Sequence, residues 1–102
     1  MSDQQKLFSV SDVTTELAET HGRLVIEGVG ELTFIGPNNG VIDANHTVVS
    51  PNHQGQGIAG LLFNALISLA EQQQWQIIPS CSYIAKKLER SDQLQHLIAK
   101  HN

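Results

Sequence analysis

The chain reads as an α+β protein in which a mixed sheet carries packed helices, and three observations point there. Residues 23–49 are alternating, β-branched runs parted by glycine-rich turns. Residues 58–70 set apolar side chains at helical spacing. A short apolar run, Trp75 to Ile78, then follows the helix as a further strand. With 102 residues there is room for one core and one domain, 1–102.

Taken in order, the stretch from Lys6 to His21 is open. Asp12 can cap a short helix running to Glu19, while Val13, Thr14 and Thr15 suit a strand equally well. Arg23 to Glu27 is a short strand, and Gly28-Val29-Gly30 permits a tight turn after it. Glu31 to Ile35 is the next strand. Gly36-Pro37-Asn38-Asn39-Gly40 collects strong turn formers, so the strand Val41 to Val49 should return antiparallel and complete a three-strand meander. Pro51 ends that strand. Ile58, Leu61, Leu62, Ala65, Leu66, Leu69 and Ala70 form one apolar stripe on a helix that ends at Gln72-Gln73-Gln74. Strand, glycine loop, helix and strand in this order favour a parallel pairing of the flanking strands. Beyond Pro79, Cys81 to Glu89 reads as a helix with Ile84, Ala85 and Leu88 inward, and Leu94, Leu97 and Ile98 suggest a last short one.

Composition narrows the classes of function. Apolar residues make up 40% and charged residues 16%, which fits a globular protein and not a disordered one. No apolar run approaches the roughly 18–20 residues that cross a bilayer, and Leu7-Phe8 is too short for the core of a signal peptide. A cytoplasmic protein without membrane contact is therefore expected. The formal charge is −4, and up to Ser80 the only basic side chains are Lys6 and Arg23; Lys86, Lys87, Arg90 and Lys100 come later. An acidic body argues against nucleic acid, which needs phosphate neutralisation, and tolerates an amine-bearing substrate. Cys81 is the lone cysteine, so no internal disulfide or thiolate cluster can form. His21, His53, His96 and His101 show no metal-ligand spacing, and no metal is expected.

The loop Gly55-Gln56-Gly57-Ile58-Ala59-Gly60 matches the dinucleotide pattern G-x-G-x-x-G letter for letter. Its context does not. A meander precedes the loop, and the region about 20 residues on, Trp75 to Ser80, holds no acid for a ribose. A P-loop is excluded because no Lys-Ser or Lys-Thr follows the glycines. Two readings stay open on the glycines alone: a phosphate cradle at a helix start, where unpaired N–H groups and the helix dipole favour an anion, or a helix cap that binds nothing.

The flanking residues resemble a known family. Val49-Ser50-Pro51 followed by Gln54-x-x-Gly57-x-Ala59 is similar to the V-x-P and Q/R-x-x-G-x-G/A signature of the GNAT superfamily of N-acetyltransferases. His46-Thr47-Val48-Val49 and Ile78-Pro79-Ser80-Cys81-Ser82-Tyr83 further resemble its small YjdJ-type subgroup of minimal acetyltransferases, and the likeness spans roughly Arg23 to Arg90. The chain departs from that subgroup where an Arg-His-Pro segment would follow the last helix; it has Arg90-Ser91-Asp92.

The resemblance implies a GNAT-like mixed sheet and acetyl-coenzyme A as co-substrate. It places the coenzyme pyrophosphate on the backbone of Gln54, Gly55, Gln56, Gly57, Ile58 and Ala59. The pantetheine arm should lie along Thr47, Val48 and Val49, in a slot opened by splaying between that strand and Trp75 to Ile78. Lys86 and Lys87 can reach the adenosine 3′-phosphate or simply form a solvated helix face. Amine acetylation needs a proton acceptor and a donor to the departing thiolate. His46, on the strand leading to the site, is a candidate base, or a histidine bonded to a neighbouring loop. Cys81, near a helix start, is a candidate acid or nucleophile, or a packed thiol. Tyr83 is a candidate acid by resemblance, or a half-buried aromatic. The expected activity is acetyl transfer from acetyl-coenzyme A to an amine of small-molecule or protein origin. The alternative is a non-catalytic acyl-coenzyme A binding module that senses or scaffolds.

Overall fold

The computed structural model describes residues 8–99. The polar start Met1–Lys6 and the basic Lys100 lie outside them. Five strands form one sheet in the order β1-β2-β3-β4-β5: β1 (Thr14–Leu17), β2 (His21–Ile26), β3 (Gly30–Asn38), β4 (Val41–Val49) and β5 (Gln76–Ile78). The first four pair antiparallel, and β5 lies parallel to β4. Helix α1 (Ile58–Gln73) makes the crossover from β4 to β5, and α2 (Ser82–Glu89) follows β5. This is the mixed α+β sheet expected, with the parallel pair across α1.

The open N-terminal segment resolves into a 3-10 turn, Val10–Asp12, and the edge strand β1. All four residues of β1 are exposed, so burial does not select this conformation. Its backbone pairing with β2 does, and cross-strand charge adds to it. Glu16 stands opposite Arg23 in register, and the guanidinium bonds Glu16 at 2.8 Å, Glu31 of β3 at 2.7 Å and Glu27 at 3.1 Å. The meander therefore has four strands, one more than the sequence pattern indicated.

The five-residue turn expected at 36–40 is also corrected. β3 runs on to Asn38, and the reversal is made by Asn39 and Gly40 alone, at φ 54° and 77°. Two successive positive φ values are what a two-residue hairpin turn matching the sheet twist requires. Gly36 and Pro37 fall in an irregular stretch of the β3–β4 pairing between Ile35 and Asn38. The last predicted helix is likewise a 3-10 segment, Asp92–Leu97, after which Ile98 forms a parallel bridge to Ile77 of β5.

Leu24, Ile26, Leu32, Phe34, Ile42 and Ala44 alternate along β2, β3 and β4 and bury one sheet face against Ile58, Leu62, Ala65, Leu66 and Ala70 of α1. Leu61 and Leu69 from the predicted stripe are only partly buried. Phe63, outside the stripe, is also buried in the core, and the Lys87 ammonium of α2 lies 5.5 Å from its ring centre. Gly30 sets how closely the start of α1 approaches β3. A Cβ there would stand 3.0 Å from the Val48 carbonyl and 3.1 Å from Ile58 Cγ2. Among the described residues, no helix is long and apolar enough to cross a membrane.

Candidate functional site

The glycine loop is anchored before it begins. The Ser50 N–H donates to the Val29 carbonyl (2.8 Å), which ties the end of β4 to the β2–β3 turn. Pro51–His53 make one 3-10 turn, closed by His53 N–H to the Ser50 carbonyl (2.9 Å). The Gln54 side chain folds back to donate to the Val49 carbonyl (3.3 Å). Gly55 and Gly57 then take φ 82° and 77°, the left-handed region that side chains resist, and Gly57 caps α1.

Among the described residues, the main-chain N–H groups of Gly55 and of Gly57 through Gly60 donate to no protein acceptor. The first bonded amide of α1 is that of Leu61, held by the Gly57 carbonyl at 3.1 Å. These donors open on a groove of ≈ 450 Å³ whose walls include Thr47, Val49, Gly57, Ala59 and Tyr83, with the buried Ile58 beneath.

The β4 edge beside this groove is the one that β5 gives up. Pairing between the two strands covers only Val41–Asp43 with Gln76–Ile78. The Cys81 N–H then reaches the Ala44 carbonyl (2.9 Å), and beyond that point the strands separate. Cys81 Sγ donates to Thr47 Oγ1 at 3.5 Å. Burial pushes the thiol up, but the Thr47 hydroxyl and the nearby amides of Ile84, Tyr83 and Thr47 outweigh it, and Cys81 lies below its ordinary value. Cys81 occupies the N-cap of α2 without a formed side-chain cap bond, so the first-turn amides favour the thiolate by their field. Tyr83 moves the other way: burial raises its phenol, and proximity to Cys81 raises it further. A Cβ on Gly60 would come within 3.8 Å of the Tyr83 hydroxyl, which places that hydroxyl over the first turn of α1.

Not every predicted residue joins this group. An extra residue in β4 at Asn45 shifts its register against β3, so Thr47 faces the core opposite Leu32, while His46 and Val48 pair with Thr33 and Glu31 on the other sheet face. His46 is exposed there and makes no hydrogen bond among the described residues, contrary to the loop-bonded alternative. Lys86 is exposed on α2, and Lys87 is engaged with Phe63. Gln56 is exposed and bonds weakly to the Asn52 carbonyl (3.5 Å). The sequence reading missed His53, which lines the groove. For His53 the only available signal was its place inside the V-x-P to glycine segment. Three of the acids counted as surface charge are gathered on Arg23. Among the described residues no cluster of His, Cys, Asp or Glu could hold a metal ion.

Residues 20–97 match the GCN5-related N-acetyl-transferase family. The chain belongs to that family. A GNAT domain of this kind is an N-acetyltransferase, and the family uses acetyl-coenzyme A as co-substrate. The fold agrees. The NMR structure of a Staphylococcus aureus protein assigned as a GCN5-like N-acetyltransferase is similar over 90% of this chain and 93% of its own, with 26% identity and a TM-score of 0.64. The crystal structure of a ribosomal-protein-alanine N-acetyltransferase from Brucella melitensis biovar Abortus 2308 is similar over 83% of this chain and 66% of its own. At 23% identity and a TM-score of 0.51, that likeness is one of architecture. No curated protein matches the chain.

Proposed function

We propose that this GNAT enzyme holds the coenzyme diphosphate on the amides of Gln54 to Ala59 and runs its chemistry between Thr47, Cys81 and Tyr83. The observation that carries the reading is the run of unengaged main-chain donors at the start of α1, facing a groove that continues to Thr47 and Tyr83. A diphosphate fits such a cradle because aligned N–H groups and the helix dipole both favour an anion. The free β4 edge at Thr47 to Val49 offers main-chain groups to an amide-bearing arm, as a neighbouring strand would.

Acetyl-coenzyme A supplies the activated acyl group. In direct transfer, the acceptor nitrogen forms the new C–N bond, the C–S bond breaks, and the Tyr83 hydroxyl gives its proton to the departing sulfur. Cys81, whose surroundings favour the thiolate, takes the proton lost by the amine. Opposed shifts on two adjacent groups are the pattern expected of such an acid and base. The lowered Cys81 thiol also favours a second reading, in which Cys81 carries the acetyl group and passes it to the amine. His46, on the opposite sheet face, is not part of either route.

The same residues support membership of the YjdJ-type minimal subgroup. Its two motifs, His46-Thr47-Val48-Val49 and Pro79-Ser80-Cys81, meet at the bond from Cys81 to Thr47. The acceptor is an amine of small-molecule or protein origin.

The test is acetylation across a panel of small amines and peptide N-termini. Tyr83→Phe should lower kcat about 100-fold with coenzyme affinity retained, the size of a lost general acid. Cys81→Ser should lower it as well. An acetyl mass on Cys81 after mixing wild type with acetyl-coenzyme A would select the second route. Full activity in both variants would remove these residues from the mechanism.

A further inference from the structure

We infer that His53 is a side-chain contact for the coenzyme diphosphate, supplementing the main-chain cradle; the inference rests on the coenzyme reading above. His53 lines the same groove as Gln54, Gly55 and Gly57. Its ring is fixed on two sides. Nδ1 is 2.7 Å from Ser50 Oγ, and the ring meets Phe8 edge-on, with centres 6.0 Å apart at 72°. Ser50 is itself held by its N–H bond to the Val29 carbonyl, and the His53 N–H returns to the Ser50 carbonyl. The imidazole therefore sits on a rigid footing in the wall of the groove.

In the tautomer in which Nδ1 accepts from the Ser50 hydroxyl, Nε2 carries the proton and has no partner among the described residues. An N–H donor immobilised beside a row of main-chain donors suits one ligand chemistry, an anion with several acceptor oxygens. The groove continues from this point toward Thr47 and Tyr83, so the anion is one carrying an extended arm, as a coenzyme A diphosphate does. Holding the donor in place beforehand spares the ordering cost on binding.

The experiment is calorimetric titration of the full chain with coenzyme A, dephospho-coenzyme A and acetyl-pantetheine. His53→Phe keeps the ring against Phe8 and removes both nitrogens. It should weaken coenzyme A and dephospho-coenzyme A alike, by about tenfold, the effect of one hydrogen bond to a charged group. Acetyl-pantetheine, which lacks the phosphates, should bind the variant as it binds wild type. His53→Gln, which retains an N–H donor, should recover part of the loss, and Ser50→Ala should weaken coenzyme A by about threefold. Equal affinities in wild type and His53→Phe overturn the inference and leave the coenzyme reading standing. A loss confined to coenzyme A moves the contact to the 3′-phosphate and overturns it too. Absence of coenzyme binding by wild type ends the coenzyme reading itself.

Discussion

Cys81 and Tyr83 are two residues apart, and the fold drives their ionisation in opposite directions. Cys81 is lowered because the Thr47 hydroxyl and the nearby main-chain amides outweigh its burial, and Tyr83 is raised by burial and by the neighbouring thiol. A lowered thiol favours the thiolate in the folded chain. It contributes stability above the unfolded value, and that contribution is lost as pH falls through the folded value. The rate of Cys81 alkylation against pH should therefore turn over below the midpoint of an unperturbed cysteine thiol. Thr47→Val deletes the first of the lowering groups and should move that midpoint upward; an unmoved midpoint would show that Thr47 does not set the thiol. Cys81 was visible in the sequence as the one thiol after the last strand. Its partner was not, because 34 residues separate it from Thr47. His46 shows the reverse failure. It neighbours the site in sequence, yet strand alternation after the extra residue at Asn45 turns it to the other face.

At the scale of elements, the loop and α1 act as one unit, and glycine backbone is what shapes it. Gly57 and Gly40 offer a matched pair: both have φ 77°, and a Cβ on either meets nothing within 4 Å. Alanine at each should cost about 1–2 kcal/mol from the left-handed backbone alone. Thermal melts should show similar losses for Gly57→Ala and Gly40→Ala, while titration should show weakened coenzyme binding only for Gly57→Ala. Equal affinities would mean the cradle tolerates distortion at the cap of α1. Gly30→Ala acts differently, by contact: its Cβ meets the Val48 carbonyl and Ile58 and should push the start of α1 off β3 at about 1–3 kcal/mol. The glycine loop and α1 were readable from local pattern, since turn chemistry and helical spacing are properties of neighbouring residues. β1 was not, because its conformation follows from pairing with β2 rather than from its own pattern. The reversal at 36–40 was misread in length because several turn formers in a row conceal which two of them turn.

For the molecule as a whole, α1 against the sheet is the core on which the site rests. Leu66 is fully buried between them, and Leu66→Ala should cost about 2–5 kcal/mol, a large part of the roughly 5–15 kcal/mol that holds a domain together. Coenzyme A at 100 times its Kd should return about 2.7 kcal/mol to wild type and variant alike, since the residues proposed to hold it do not include Leu66. Urea melts with and without coenzyme A check both numbers. A variant whose loss the ligand cannot offset by that amount would show that the cradle depends on packing deep under α1.

By itself the sequence determined the class of fold, the antiparallel-then-parallel order of the sheet, the loop that opens α1, and the family signature around it. All of these are carried by residues near one another in the chain. The tertiary structure alone decided which face of β4 belongs to the site, that Thr47 meets Cys81, that β5 leaves β4 after Asp43, and that His53 stands in the groove beside the glycines. These are meetings between segments far apart in sequence, and one extra residue in a strand is enough to reverse them.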